Sequence, residues 1–479
     1  MCRSTHCGAL DAARHNEIDA NEHSAILPPA HRATSRPSLC SKYACCSSHP
    51  DRERYRAVNL YTRCVARNIT NARETPVTSG HPISSSQLPA KTPVIVIKKG
   101  ESVLGPQRVS LRHCTDVFVV GGGPAGLAAA IAARQKGLDV IVADGATPPI
   151  EKPCGEGLLP ETLGSLRSLG VEARSRDAQE LRGISFVQED AQVCADFPQE
   201  TGVGLRRPRL HELLVARAEQ CGVQLLWKTP VRSIDARGVQ LANETITARW
   251  IIGADGQGSR VRRWSGLDNL RRIKKRHATR RHFRVPRSAE YMQIFWGEHA
   301  QAYVTPIAEE EVCVVVMSEH PEYAGFERAL RELPQLQLQL RDAETVSRER
   351  GAISVMCSLQ NVQRGNVALI GDASGGVDAI TGEGLRLAFR QAFALADAMV
   401  SGNLKQYETA HRKLARRPML MGHLMLLLGR HPRIRGRVLR ALQSNPDLFA
   451  RLVATHAGHA SPAQLFTTGA SLGWHLLAT

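Results

Sequence analysis

A chain of 479 residues with 62 Lys and Arg against 45 Asp and Glu carries a formal charge of +17, and 43% of it is apolar. That excludes a peptide module and a wholly disordered chain, and leaves room for about three domains with a proper core. No apolar run reaches the roughly 20 residues of a bilayer-spanning helix, the longest late candidate, Met419 to Leu428, being interrupted by Gly422 and His423.

The twelve cysteines are scattered without a C-x-x-C pair, so they read as reduced thiols rather than a disulfide frame or a zinc site, and no metal is expected. The opening Met1-Cys2-Arg3-Ser4 has no apolar leader behind it, which makes the cytoplasm the expected compartment. Residues 1–112 are dominated by Ser, Thr, Pro, Arg and His with no persistent period, and are expected to be a disordered extension. A transit peptide fits the arginines and serines but not Asp11, Glu17, Asp19 and Glu22, and a translation start upstream of the real protein is the third reading.

Ordered structure is expected from Asp116. The β-branched run Asp116 to Val120 leads into Gly121-Gly122-Gly123-Pro124-Ala125-Gly126, an Ala-rich stretch follows to Lys136, Gly137 stops it, and Asp139 to Asp144 reads as a second buried strand. The unit is strand, glycine turn, helix, parallel strand. Gly121 allows the tight turn, Gly123 lets a pyrophosphate approach the backbone, Gly126 lets helix and strand pack, and Asp144 is placed to accept ribose hydroxyls. Two later segments repeat the design of strand, glycine and acid: Trp250 to Arg262, with Asp255 and Gly256 in its turn, and Val367 to Ala373, with Gly371 and Asp372.

Together these three resemble the fingerprints of the flavoprotein superfamily that holds aromatic hydroxylases and geranylgeranyl reductases, over about residues 114 to 400. The resemblance implies that FAD is the cofactor, with Gly121, Gly123, Pro124, Ala125, Gly126 and Asp144 on its ADP half, and Gly371 and Asp372 at the ribityl chain. It further implies that Asp255 and Gly256 support FAD and transient NAD(P)H docking, and that Arg207, or its neighbour Arg206, reaches the diphosphate. The segment Thr381-Gly382-Glu383-Gly384 opens a helix whose start, with Gly382 and Gly384, is expected beside the flavin ring, where its dipole favours negative charge.

Two flavin chemistries fit. One is an NAD(P)H-driven monooxygenase hydroxylating an apolar or aromatic small molecule, the reading placed first; the other is a reductase of isoprenoid double bonds. Lys152-Pro153-Cys154-Gly155-Glu156-Gly157 and Thr381 to Gly384 resemble the reductases, whereas Tyr303-Val304-Thr305-Pro306 departs from their W-x-F-P, and Gly375 and Ala379 stand where hydroxylases tend to carry His and Pro. A halogenase W-x-W-x-I-P is absent. An RNA-associated flavoprotein and a flavin-binding scaffold without catalysis are the remaining alternatives. No catalytic acid or base is assigned: Cys154 and Tyr303 are the candidates, His282 is a further one, and packing is the commoner role for each. Phe283, Tyr291, Ile294 and Trp296 are expected to form an apolar wall.

The basic run Arg271 to Arg276 is read as a solvated loop, and with aromatics at only 5% no nucleic-acid partner is expected. From Lys405 the pattern is helical, with Pro418, Gly429, Pro432 and Gly436 as breaks, and its apolar residues between arginines suit a core helix, a lid or peripheral membrane contact. His456 and His459 are too isolated for a metal site. The expected fold is α/β: a discontinuous Rossmann-like FAD-binding domain (113–175, 203–268, 350–400), a mixed β-sheet substrate domain inserted at 176–202 and 269–349, and a helical region over 401–479.

Overall fold

The computed structural model describes residues 113–174, 178–189, 191–286 and 288–456; the expectations for 1–112, 457–479 and His459 lie outside them. In chain order the elements that build the site begin with β1 (Cys114–Val120), α1 (Pro124–Gln135), β2 (Val140–Ala143) and α2 (Pro160–Leu169). There follow β3 (Gly183–Gln188), β4 (Ala191–Asp196), α3 (Arg207–Gln220), β5 (Gln224–Leu226), β6 (Thr245–Gly253) and β7 (Leu270–Arg284). Next come β8 (Tyr291–Trp296), β9 (Gln301–Ala308), β10 (Glu311–Ser318), β11 (Arg350–Leu359) and β12 (Val367–Leu369). The helices α4 (Gly384–Val400), α5 (Leu404–Arg430), α6 (Pro432–Ser444) and α7 (Pro446–His456) complete the order.

The first sheet runs parallel across β12, β6, β1, β2 and β5. Side chains alternate along β1: Val117 and Val119 join the cluster under α1 and α4, while Phe118 and Val120 join the opposite one with Ile141, Ile251 and Leu369. Both faces are covered, so the strands read as unbroken apolar runs.

The second sheet has the order β7, β10, β9, β8, β3, β4, antiparallel except between β8 and β3, with β11 on the far side of β7. The strand Arg350–Leu359, assigned from sequence to the FAD-binding segment, thus pairs with β7 instead, and the return to the first sheet starts near Gln363. One face carries Ile294, Trp296 and Tyr303 against Val438, Leu442 and Phe449 of α6 and α7; the other carries Phe295 and Val314 with Phe283 and Phe326. The expected wall is therefore split, with Phe283 on the far face and Tyr291 giving its hydroxyl to Asp196 at 2.6 Å.

Two further expectations change. The basic run is not a loop but lies in β7, where Arg276 and Arg280 are buried. Neither Pro418 nor Gly429 breaks α5, a 27-residue helix that ends at His431, and Gly436 lies inside α6; of the named breakers only Pro432 marks a boundary, at the first turn of α6. Proline inside a helix costs about 3 kcal/mol. Packing offsets it: Pro418, Gly422 and Leu426 are buried.

Candidate functional site

The turn after β1 is built by contact. A Cβ on Gly121, whose φ is +111°, would lie 2.5 Å from the Ala254 carbonyl oxygen, and one on Gly126 would lie 1.9 Å from the Gly121 oxygen. Only glycine lets α1 sit this close to the sheet. At Gly123 nothing lies within 4 Å, because that side faces a cavity of about 530 Å³. Helix α1 starts with Pro124 and has no acidic residue in its first turn, so its leading N–H groups and dipole meet that space unopposed. Asp144 closes β2: its Oδ2 accepts from the Gly122 N–H at 2.7 Å and its Oδ1 from the Ala146 N–H at 2.8 Å, fixing the carboxylate beside the turn.

The other two loops reach the same cavity. Asp255 accepts from the Ser259 hydroxyl at 2.5 Å and the Arg260 and Val261 N–H groups at 2.6 and 3.1 Å, which pins the turn that presents Gly256. Asp372 follows β12 and pairs with Lys152 at 2.7 Å, both half exposed, while the Gly371 N–H donates to Gln391. Gly382 ends a short helical turn, Ala379–Thr381, at φ +67°, and Gly384 opens α4. Gly121, Gly123, Pro124, Ala125, Asp144, Arg207, Asp255, Gly256, Gly371, Asp372, Gly382, Gly384, Cys154 and Tyr303 all line the cavity. Gly126 does not; it packs behind the turn.

Arg207, first residue of α3, is 9% exposed and its Nε has no partner among the described residues, whereas Arg206 turns away to Glu311 at 2.8 Å. Of the two, Arg207 lines the cavity. A glycine turn open to space, a helix start without acids, an orphaned guanidinium nitrogen and open faces at Gly256 and Gly384 fit a dinucleotide whose diphosphate sits at α1. FAD fits this donor set.

Elsewhere in the lining Gly155 abuts the Tyr303 ring, where a Cβ would fall 2.0 Å from Cε2. Met292 and Ile380 line the cavity too and share an apolar cluster with Tyr303. Burial, with help from Cys154, Cys313 and Asp378, pushes the Tyr303 phenol well above its ordinary value, so it keeps its proton.

Sequence reading missed Glu156. Its backbone has φ +62° and its side chain is buried, with Oε1 accepting from the Arg207 N–H at 3.0 Å and Arg280 at 3.2 Å, and Oε2 from His282 Nε2 at 2.8 Å. Burial alone would raise its pKa, but the His282 hydrogen bond and charge, the Arg207 N–H and Arg206 outweigh it and hold the carboxyl below the usual range. His282 therefore faces Glu156, with Nδ1 on Ser347 at 2.8 Å, and does not line the cavity. Cys313 completes a group whose ligand-type atoms lie within 4.8 Å of one another, but the carboxylate is already occupied by three donors. The signal was period two: Arg276, Ala278, Arg280 and His282 all turn inward along β7.

The family described as FAD binding domain matches residues 114–410. Menaquinone reductase of Mycolicibacterium smegmatis is 28% identical over 321 residues, covering 62% of this chain and 78% of that one. Digeranylgeranylglycerophospholipid reductase 1 of Methanothermobacter thermautotrophicus is 28% identical over 293 residues, covering 56% and 73%. A solved geranylgeranyl bacteriochlorophyll reductase-like protein from Thermoplasma acidophilum superposes with a TM-score of 0.57 over 74% of this chain and 95% of its own, at 22% identity, a likeness of fold.

Proposed function

The chain belongs to the FAD binding domain family and is an FAD-dependent oxidoreductase; from that premise we propose that it reduces a carbon–carbon double bond of an isoprenoid lipid, with NAD(P)H as transient electron donor. FAD, when bound, supplies the hydride. The observation that carries the reading is the position of Tyr303, a buried phenol that lines the cavity and shares an apolar cluster with Met292 and Ile380. Saturating a double bond needs a proton on the second carbon, and Tyr303 carries one at the cavity, though burial makes its phenol a weak donor. Glu156 has none to give, since His282 and the Arg207 N–H hold it ionised; it positions the loop that carries Cys154. The two curated relatives named above are reductases, which favours this reading over the hydroxylation placed first from sequence.

The test is an anaerobic NADPH titration followed by addition of a geranylgeranyl-bearing lipid. Bleaching by NADPH, recovery of the oxidised spectrum on adding lipid and a product heavier by two hydrogens are expected. Incorporation of labelled O₂ with the double bonds intact would overturn the proposal in favour of hydroxylation. Tyr303→Phe should cut turnover by about 10² to 10⁴-fold with flavin content unchanged; full turnover would move the proton source elsewhere.

A further inference from the structure

From Thr409 to Pro446 the sequence has nine Lys and Arg and no Asp or Glu. Within this stretch α5 sets Lys413, Arg417, Leu420, Leu424 and Leu427 in one line at steps of three and four, all exposed. Leu420 is 62% exposed, Leu424 44%, Leu427 46%, and Ile434, just beyond the break at His431, 44%. Among the described residues Lys413, Arg416, Arg417, Arg433 and Arg437 form no ion pair, in contrast to Arg412 with Glu408 and Arg430 with Glu319. The opposite face of α5 is fixed to the site. A Cβ on Gly422 would meet Met356 Sδ at 3.1 Å and Asp378 Cβ at 3.6 Å, and Asp378 caps the turn whose Ala379 and Ile380 line the cavity.

Water does not favour a row of exposed leucines. The interface of a bilayer does, taking leucines into its acyl boundary while flanking cations meet lipid phosphates. We propose that the outer face of α5 and α6 docks on the surface of an anionic lipid bilayer. Charge selects this occupant over a second copy, over residues 457–479, and over residues 1–112, whose 16 Lys and Arg outnumber their eight Asp and Glu. A second copy would bring the same uncompensated cations against these and repel. Residues 457–479 contain no Asp or Glu, so they offer nothing to neutralise the arginines. No helix of the described residues is long and apolar enough to cross a membrane, so the contact is lateral. The docking stands independently of the reductase reading.

The experiment is sedimentation of the full, FAD-loaded chain with phosphatidylcholine vesicles, with and without phosphatidylglycerol, read as bound fraction and so blind to turnover. Binding to the phosphatidylglycerol vesicles alone is expected, weakened at least about tenfold when salt rises from about 0.1 to about 0.5 M. The variant L420S/L424S/L427S should lose at least about tenfold in partition, since each leucine gives up its burial in the acyl boundary. R416E/R417E/R433E should lose a similar factor, and both variants should keep the flavin content of the parent. Absence of binding to phosphatidylglycerol vesicles, or undiminished binding by the leucine variant, would overturn the proposal. A concentration-dependent dimer of the parent that the leucine variant abolishes would overturn it too, assigning the face to self-association.

Discussion

Two stretches of this chain are dense in arginine and use it in opposite ways. In β7, Arg276 and Arg280 point inward to Asp378, Glu151 and Glu156, with Arg276 and Asp378 only 4% and 2% exposed. In α5 and α6, Lys413, Arg416, Arg417, Arg433 and Arg437 are exposed in a span without Asp or Glu between Glu408 and Asp447, Arg435 alone turning inward to Gln188. Charge density along a sequence therefore says little until the position of the acids is known. Inward, an arginine is structure; outward, it is available to a partner.

The comparison is most exposed to failure at Arg280. Arg280→Ala leaves Glu156 and Glu151 without their shared cation in a buried setting, and should lower stability by about 3 to 5 kcal/mol in denaturant unfolding; a loss as small as that of a surface residue would erase the distinction. His411 is a buried residue of α5 within the acid-free stretch, with its Nε2 on the Ser374 hydroxyl at 3.0 Å. Burial, then the charge of Arg412, lowers its pKa from 6.5 to about 4. The unfolded chain takes up this proton near pH 6.5 and the folded one near 4, so stability is full above 6.5 and falls as pH drops toward 4, by up to about 3 kcal/mol. His411→Gln should flatten that slope, measured as unfolding midpoint against pH. The smallest effect belongs to the outer face: R416A/R417A/R437A should change stability by less than about 0.5 kcal/mol per site, by thermal denaturation. A large loss there would mean those cations are structural after all.

The same contrast explains how far the sequence could be read. The three glycine loops were legible because each is local: Gly121, Gly256 and Gly371 sit within two residues of the strand ends or acids that give them meaning, and no distant partner is needed to recognise a turn. Arg207 and Asp372 followed from the family resemblance and line the cavity with those loops. What stayed hidden was long-range. Glu156 meets Arg280 and His282 across 124 and 126 positions, a pairing that depends on the register of β7 against β10 and no local pattern specifies. The basic run was misread because counting charge ignored its alternation, and Pro418 was misread as a stop because the packing that holds α5 together lies in other segments.

Gly422 has one more consequence. With only a hydrogen where other residues carry a side chain, it lets α5 close on Met356 and on Asp378, the residue that caps the turn lining the cavity. A push on the outer helix therefore reaches the lining of the cavity through this one close contact, and a bulkier residue at 422 would uncouple the two.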